Sequence, residues 1–510
     1  MGVAANSKSL RQSCGDLGFE FPEPVSESSF TSAGSVQWLG DIPESMMFDG
    51  RWPTTEGEGF VRFCPLDYRY GCDDFKIIWS EEGRHARQLE VERALIWAHM
   101  KLGRVSESDY KAVAAIANPE SVTVQRVSEI EAETKHDIMA LTKAMAEAAG
   151  EAGWCIHLGA TSNDIVDTAV GLQLRDSMVM LRQRVCESMA VMADLAERER
   201  DTVMLGRTHG QAAVPITFGL KVAVWLDEMR RHLIRLDESS HRIAVGKFLG
   251  AVGTGAAQGE NARELQNLIL THLGLGIPLV TTQVVGRDRY VEYMSWLANV
   301  ATTCEKILQE IRNLQRSEIS EAGEGFDKAK QVGSSTMAHK RNPIISENAC
   351  GLARVVRSFI IPTYENALLW HERDLANSSS ERFTLSHASS LLEDVVAKTT
   401  KVLSNLWVDG ARMLKNIHSQ KGLVMAEKVM ISLVDSGVPR DEAHEVLREA
   451  SMTCIESGEE LIDVCSRTPA ITTAFTAEEL EGLFDPMNHL GVSGELVDEA
   501  VAVARQVISD

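Results

Sequence analysis

The stretch LQLRDSMVMLRQRVCESMAVMADL, residues 172–195, decides the fold class. Its apolar side chains recur every three or four positions, which is the period of one face of an α-helix. The residues on this predicted face are Leu174, Met178, Leu181, Val185, Met189, Met192 and Leu195. Because the stripe continues for about seven turns, it predicts a long helix that is buried along most of its length.

Three further stretches carry the same period, at residues 218–245, 290–317 and 389–408. Few alternating apolar and polar runs compete with them. Long helices joined by short polar breaks predict a mainly α-helical bundle, and the methionines of the stripes are interpreted as packing residues. Residues 1–60 are rich in Ser, Gly, Pro and Glu and predict an irregular extension. A smaller, acidic helical region follows residue 418.

Composition narrows the class of protein. The 510 residues are 44% hydrophobic and 24% charged, with a net charge of −22. A charge of that sign repels nucleic acid. Nine cysteines occur singly, without a CxxC motif, which predicts reduced thiols rather than disulfides or a zinc site. The chain has no apolar run long enough for a membrane helix and no signal-peptide core, so we expect a cytoplasmic protein.

Two polar stretches lie between the first predicted helices. One is KHD at Lys135, His136 and Asp137, and the other is GATSND, with Thr161 and Ser162 among its polar residues. Helix capping by Ser162 or by the following asparagine would explain one such residue. It would not explain the KHD group as well, so both stretches are candidates for a binding site.

A third polar stretch is GRTHGQAAVPITFG, in which His209 lies in a predicted loop between two glycines. Gly206 and Gly210 would let the backbone come close to a ligand. A histidine in a loop is more often inert, so this stretch alone leaves both interpretations open.

The stretch GSSTMAHKRNP, Gly333–Pro343, combines a glycine turn, Ser334 and Lys340. Backbone N–H groups, a hydroxyl and a fixed cation suit proton removal beside a carboxylate, where negative charge develops. A surface turn with a salt bridge is the alternative interpretation.

The last polar stretch is WHERDLANSSSERF, which contains Arg373, Ser378 and Arg382. Two guanidinium groups and a hydroxyl would form a phosphate clamp. Taken alone, the segment is better explained as an amphipathic helix with surface charges.

Together these stretches resemble the fumarase/aspartase superfamily, whose signature is G-S-S-x-M-P-x-K-x-N-P. Within it they resemble the adenylosuccinate lyase family through PLDYRYG, KHD, GATSNDIVDTA, GRTHGQ, TTQ, the signature and HERDLANSS, over roughly residues 64–430. The resemblance implies a mainly α-helical, three-domain subunit whose central long-helix bundle forms the core of a homotetramer. Active sites would be shared between subunits. The expected regions are 1–60 (extension), 61–166 (N-terminal helical domain), 167–417 (central bundle) and 418–510 (C-terminal helical domain).

The resemblance also implies a reaction, the β-elimination of fumarate from adenylosuccinate, giving AMP, and from the succinylated aminoimidazole carboxamide ribotide. Ser334 would be the base and His209 the acid that protonates the departing nitrogen. Lys340 and Asn342 would bind the succinyl carboxylates, and Glu347 would hold a catalytic imidazole. No metal or organic cofactor is expected.

The binding residues implied by the resemblance form two groups. Those expected to hold the phosphate and ribose are Arg69, Tyr70, Arg373, Ser378 and Arg382. Those expected to line the rest of the site are Lys135, His136, Asp137, Thr161, Ser162 and Gln283. The segment SEAGEGFDKAKQV, residues 320–332, is expected to be a mobile loop that closes over the substrate.

Five positions depart from the family pattern: Gly286, Tyr290, Ala338, Ser386 and His387. None of them removes a predicted catalytic group. They keep open a divergent member that eliminates fumarate from another N-substituted or nitro-substituted succinate. A non-catalytic structural protein on the same fold is a third hypothesis, but it would have no need of Ser334 and His209.

Overall fold

The computed structural model describes residues 63–325, 337 and 339–509, and its regular structure is mainly helical. The first helices are α1 (Asp73–Trp79), α2 (Glu81–Lys101), α3 (Glu107–Ile116), α4 (Val124–Thr134) and α5 (Asp137–Ala149). The central ones are α6 (Ser162–Arg198), α7 (Phe218–Ile243), α8 (Ala262–His272), α9 (Asp288–Leu314), α10 (Ile344–Ser358), α11 (Ile360–Glu365) and α12 (Ser378–Ser404). The last are α13 (Gly410–His418), α14 (Ala426–Asp435), α15 (Arg440–Ser457), α16 (Leu461–Cys465), α17 (Pro469–Ala474), α18 (Ala477–Leu483) and α19 (Ser493–Ser509).

Short strands interrupt the helices in two places. Strands β1 (Val203–Thr208) and β2 (Gln211–Thr217) form an antiparallel hairpin, and β3 (Ala322–Gly323) pairs with β4 (Trp407–Val408). The loop predicted around His209 is therefore shorter than expected, because strands flank it on both sides. Residues 209 and 210 form only the two-residue turn, and both have the positive φ that such a turn requires. The hairpin itself requires Gly206, because a Cβ there would lie 2.5 Å from the carbonyl oxygen of Val214.

The long helix predicted from residues 172–195 is confirmed as α6, which has 37 residues and is about 55 Å long. Every side chain of the predicted stripe is buried. The helix starts earlier than the stripe, at Ser162, with Thr161 as its N-cap. The predicted cap at Ser162 or at the residue after it is thus one or two positions late.

The long helices pack side by side as a bundle, in which α6 contacts α7 and α12, and α9 contacts α7, α10 and α12. Helices α6, α9 and α12 run in one direction, and their starts are joined by Arg287, which binds both Asp167 and Glu381. We call the end at Ser162, Asp288 and Ser378 the near end, and the end at Arg198, Leu314 and Ser404 the far end. The mainly α-helical prediction is confirmed.

One hydrophobic core runs through the bundle from Phe75 to Met413 and includes residues of α19. Helix α19 packs along α6 and α7. A second core, built from α14 to α18, lies between Val429 and Leu480. The predicted extension 1–60 lies outside the described residues, and the boundaries near residues 166 and 417 stay predictions. None of the helices in the described ranges has the length and apolar character that a membrane span needs.

Candidate active site

A cavity of about 750 Å³ opens at the near end of the bundle. Its walls come from the end of α1, the α4–α5 junction, the start of α6, the stretch 283–287 and the start of α12. Eight predicted binding residues line it together: Lys135, His136, Asp137, Ser162, Gln283, Arg373, Ser378 and Arg382. Polar stretches that are far apart in the sequence therefore meet in one place.

The KHD residues reach the cavity through a sharp turn between two helices. Lys135 ends α4 with a left-handed φ of 56°, and His136 then caps α5 by accepting the N–H of Met139 on Nδ1 at 3.3 Å. Asp137 begins α5, with its carboxylate 4.0 Å from the guanidinium of Arg84. The turn directs a cation, an imidazole and a carboxylate to one wall.

The start of α6 supplies the facing wall, and it is anchored by Asp164. This carboxylate accepts the N–H of Thr161 at 2.8 Å and forms a fully buried ion pair with Lys247. Thr161 does not line the cavity itself, but it caps the helix on which Ser162 is the first residue. The anchored helix start fixes where the Ser162 hydroxyl stands.

A half-buried histidine supports the chain just before this helix start. His157 has a positive φ of 60°, and its Nδ1 lies 2.7 Å from the carboxylate of Glu92, which is fully buried. Burial alone lowers the pKa of His157, but the charge and hydrogen bond of Glu92 outweigh burial, so the pKa lies above the ordinary histidine value.

Arg287 ties three walls of the cavity together. It is 6% exposed, and its guanidinium binds Asp167 of α6 at 2.7 and 3.0 Å and Glu381 of α12 at 2.8 and 3.2 Å. Bidentate pairs of this kind fix geometry as well as charge. Arg287 thereby sets the spacing between the helices that carry Ser162 and Arg382, and it places one positive charge between two acids beside the cavity.

The predicted phosphate clamp lies on the side formed by α12. Arg373 donates to the amide oxygen of Gln283 at 2.8 Å, and the backbone N–H of Gln283 donates to the carbonyl of Glu372 at 3.2 Å. Ser378 is the first residue of α12, and Arg382 follows it by four positions, so the two face the same side of the helix. The hydroxyl and both guanidinium groups thus border one cavity.

The other predicted residues do not line this cavity. Tyr70 contacts Asn348, 3.4 Å from its hydroxyl, and Lys398, whose Nζ is 5.0 Å from the ring. Lys398 lies about 20 residues along α12 from Ser378, a separation of about 30 Å. Arg69 is exposed beside Tyr70. Within one chain, this pair and the clamp cannot hold the same phosphate.

His209 is farther still, because its hairpin follows the end of α6. The imidazole is exposed at the turn. Arg207 of β1 anchors the hairpin, because its guanidinium binds the fully buried carboxylate of Glu321 at 2.7 and 2.8 Å. Ser162 and His209 are thus separated by the whole of α6, about 55 Å.

The signature residues also belong to the far end. Lys340 is exposed, Asn342 is half-buried, and Glu347 stands exposed in the first turn of α10. Ser334, the predicted base, and Ala338 lie outside the described residues. So does most of the predicted mobile loop 320–332. The loop prediction is wrong for residues 321–324, which are buried and include β3.

The departures from the family pattern have structural explanations where they are described. Tyr290 is buried in the core, and the guanidinium of Arg287 lies 4.9 Å from its ring centre. Ser386 lines the cavity. His387 packs against Phe359 and Phe383, and burial lowers its pKa. At Gly286, a Cβ would lie 2.4 Å from the side chain of the aspartate two residues on.

Sequence reasoning missed several residues that shape this site. Those that border the cavity are Trp79, Arg84, Asp167, Arg287 and Glu381. Arg287 and Asp288, in the stretch GRDRY, lie close in sequence to TTQ, which is part of the family resemblance. Only the folded chain shows which carboxylates Arg287 binds. Glu321 gave no signal, because a buried acid that supports a hairpin looks like any surface glutamate in sequence.

Comparisons with known proteins agree with the resemblance. A family model described as Lyase matches residues 70–358, and one described as Adenylosuccinate lyase C-terminus matches residues 422–500. The adenylosuccinate lyase of Pyrococcus abyssi (strain GE5 / Orsay) is 45% identical over 437 residues, 86% of this chain and 97% of the relative. That of Archaeoglobus fulgidus is 46% identical over 444 residues, 87% of this chain and 99% of the relative.

Solved structures show the same fold. The fumarate lyase from Mesorhizobium sp. BNC1 has a TM-score of 0.78 and 30% identity, covering 85% of this chain and 98% of its own. The 3-carboxy-cis,cis-muconate lactonizing enzyme from Pseudomonas putida has a TM-score of 0.79 and 30% identity, covering 87% and 99%. On the matched family models and the relatives at 45–46% identity, the chain belongs to the adenylosuccinate lyase family of the fumarase/aspartase superfamily.

Proposed function

We propose that the protein eliminates fumarate from adenylosuccinate to give AMP, and from the succinylated aminoimidazole carboxamide ribotide, in purine nucleotide biosynthesis. The observation that carries this proposal is that Arg373, Ser378 and Arg382, the residues proposed to clamp a phosphate, all line the near-end cavity. A cavity of about 750 Å³ lies within the range of pockets for small molecules. The relatives named adenylosuccinate lyase support the choice of substrate.

The cavity suits an anionic substrate despite the acidic composition of the chain. Arg287 binds both Asp167 and Glu381, and Arg84 lies between Glu81, at 2.6 Å, and Asp137, so each of these guanidinium groups offsets part of the charge of two acids. Lys135, Arg373 and Arg382 then remain to face the phosphate and carboxylates of the substrate. Charge-assisted hydrogen bonds from guanidinium groups are the strong and directional kind that such groups call for.

The reaction requires a base, an acid and a site for developing charge. In the proposed mechanism Ser334 removes the proton from the succinyl Cβ, and the electron pair spreads onto the adjacent carboxylate. Lys340 and Asn342 stabilise that charge. The pair then forms the double bond of fumarate as the C–N bond breaks, and His209 protonates the departing nitrogen. Glu347 holds a catalytic imidazole, and no metal or cofactor takes part.

We further propose that the protein is a homotetramer whose active sites combine the near end of one subunit with the far ends of others. In a single chain Ser162 is separated from His209 by the length of α6, and Ser378 is separated from Lys398, which Tyr70 contacts, by about 30 Å along α12. A substrate the size of a nucleotide spans neither gap. An antiparallel association of two bundles would bring a near end beside a far end.

Exposed apolar side chains support an assembly of this kind. Large apolar residues that are more than half exposed lie on long helices of the bundle and on loops next to the cavity. They include Val179, Val224, Leu279, Val280, Ile361, Leu368, Trp370, Leu375 and Phe383. Exposed apolar surface of this extent is typical of an interface. We also propose a cytoplasmic location. The eight cysteines in the described part of the chain are all free thiols, as is usual for proteins of a reducing compartment.

The function is tested by an absorbance assay of the purified protein with adenylosuccinate, set beside simple N-substituted and nitro-substituted succinates. We expect adenylosuccinate to be the far better substrate and AMP to compete with it. A small succinate derivative that is turned over much faster, together with no inhibition by AMP, would replace the proposed substrate. A protein that turns over none of these compounds would instead support the non-catalytic hypothesis, which family membership does not favour.

The assembly is tested by light scattering during gel filtration. We expect a mass near four times 56.1 kDa. A stable and active monomer would contradict the shared-site proposal, because no single chain brings the groups together.

A further inference from the structure

Glu324 lies buried at the point where the chain enters the segment that carries the signature. It is 5% exposed. Its carboxylate accepts the backbone N–H of Ile345 at 3.2 Å and that of Ser346 at 2.5 Å, both in the first turn of α10. The first N–H groups of a helix have no partner within the helix, and a carboxylate there also meets the positive end of the helix dipole. Glu324 therefore caps α10 from the opposite side of the segment.

Gln315, next to the end of α9, makes a second connection across the same segment. Its Oε1 accepts the N–H of Glu324 at 2.9 Å, and its Nε2 donates to the carbonyl of Arg341 at 3.1 Å. Gly323 makes room for this side chain, because a Cβ there would lie 2.7 Å from Gln315. One glutamine is thus hydrogen-bonded both to the chain that enters the segment, at Glu324, and to the chain that leaves it, at Arg341.

We propose that Glu324 and Gln315 are positioning residues for the elimination. Together they tie residue 324 to residues 341, 345 and 346, so they fix where the signature segment leaves and rejoins the fold. Lys340 and Asn342 flank the tied residue 341, and Glu347 follows the capped turn directly. The pair thereby orients the three groups that bind the succinyl carboxylates and hold an imidazole. This inference deepens the proposed function and rests on it.

The kinetic test is Glu324→Ala in the full-length assembled protein. A misplacement of catalytic groups by about 1 Å costs on the order of a hundredfold in rate, so we expect kcat for adenylosuccinate to fall roughly ten- to hundredfold. Inhibition by AMP reports the near-end clamp, and we expect its inhibition constant to change less than twofold. Glu324→Gln keeps one acceptor oxygen and should lose less activity. A kcat within twofold of wild type in Glu324→Ala would overturn the proposal.

A matched control separates positioning from ordinary helix stability. Asp409 caps the nearby α13 by accepting the N–H of Arg412 at 2.9 Å, and its side chain has no hydrogen-bond partner among the described residues of the signature segment. Asp409→Ala removes a carboxylate cap of the same kind, and we expect it to leave kcat within twofold. If Asp409→Ala lowered kcat as much as Glu324→Ala did, the effect would belong to helix capping in general and the inference would fail.

A second measurement is independent of the substrate. Amide hydrogen exchange over residues 341–350 should be faster in Glu324→Ala and Gln315→Ala than in wild type, and unchanged over α7. Unchanged exchange over residues 341–350 would overturn the connection even if the wild type proved to act on another substrate. Should Glu324→Ala fail to fold, Gln315→Ala carries both tests, because Gln315 is only half-buried. Normal kcat together with normal exchange in Gln315→Ala would then reject the proposal.

Discussion

At the near end of the bundle, Arg287 is 6% exposed and binds two carboxylates. At the far end, by contrast, the side chains of His209, Lys340 and Glu347 are all exposed. The near end already has the form of a site, with a cavity and a buried ion-pair network behind it. The far end presents the predicted catalytic groups, and none of those that are described lines the near-end cavity. The near end therefore has the cavity, and the far end has the predicted catalytic groups.

This difference teaches how the catalytic work is divided. Binding groups stand on rigid helix starts whose positions are set by buried contacts within one chain. The groups proposed to move protons belong to a hairpin and a segment at the opposite end of the bundle. The proposed reaction requires both sets, and in the proposed assembly the exposed far-end residues would meet the near-end cavity of another subunit.

The largest effect is expected at the far end, from His209→Ala. Loss of a general acid typically costs on the order of 10²–10⁴ in rate. The imidazole is exposed, so the unfolding midpoint should fall only slightly, through the strain of alanine at the positive φ of this position. The measurement is kcat together with thermal unfolding, with His444→Ala, an exposed histidine on α15, as the control that keeps full activity. A kcat within about tenfold of wild type would remove His209 from the mechanism.

At the near end, a substitution in the ion-pair network should instead lower the stability of the protein. Arg287→Met leaves Asp167 and Glu381 without their cation, and breaking a buried pair in this way costs about 3–5 kcal/mol of unfolding free energy. Adding Asp167→Asn and Glu381→Gln should recover much of the loss. The control is Arg316→Met at the far end, whose partner Glu318 is exposed and whose loss should cost less than about 1 kcal/mol. Equal shifts in the unfolding midpoints of the two single variants, at one protein concentration, would contradict the comparison.

A smaller and purely binding effect is expected from Arg382→Ala. A hydrogen bond to a charged group contributes roughly 1.5–3 kcal/mol, or about ten- to hundredfold in affinity. KM for adenylosuccinate should rise by that factor, with a smaller change in kcat, and AMP should inhibit more weakly. For any phosphate-free succinate that is turned over, KM should hardly change. An equal loss on both substrates would mean that Arg382 does not bind the phosphate.

The smallest effect concerns pH and the support of the α6 start. Because the pKa of His157 is raised in the folded protein, its ion pair with Glu92 stabilises fully below the unfolded histidine value of about 6.5. That contribution disappears as the pH rises through the folded-state pKa. Glu92→Gln should therefore lower the unfolding midpoint more at pH 6 than at pH 9. A difference that does not depend on pH would show that His157 stays neutral.

The sequence predicted the bundle and most of the near end, because helical stripes and clustered polar residues are local signals. It did not predict the β1–β2 hairpin, since Pro215 argues against a strand inside a sheet. In a hairpin of two strands both strands are edges, so a proline that pairs with Leu205 is tolerated. Arg287 and Glu324 were also missed, because their roles depend on contacts with residues more than 20 positions away.

The central claim, that near and far ends of different subunits form one site, is tested most directly by complementation. One parent is His209→Ala, and the other is the clamp variant Arg373→Ala with Arg382→Ala. Each alone should have a very low kcat/KM for adenylosuccinate. In mixed tetramers made by co-expression, about one quarter of the sites should combine an intact clamp with an intact His209 by random assortment. Recovery of kcat/KM toward about a quarter of the wild-type value is therefore predicted. Mixed tetramers no more active than the average of their parents would contradict the account.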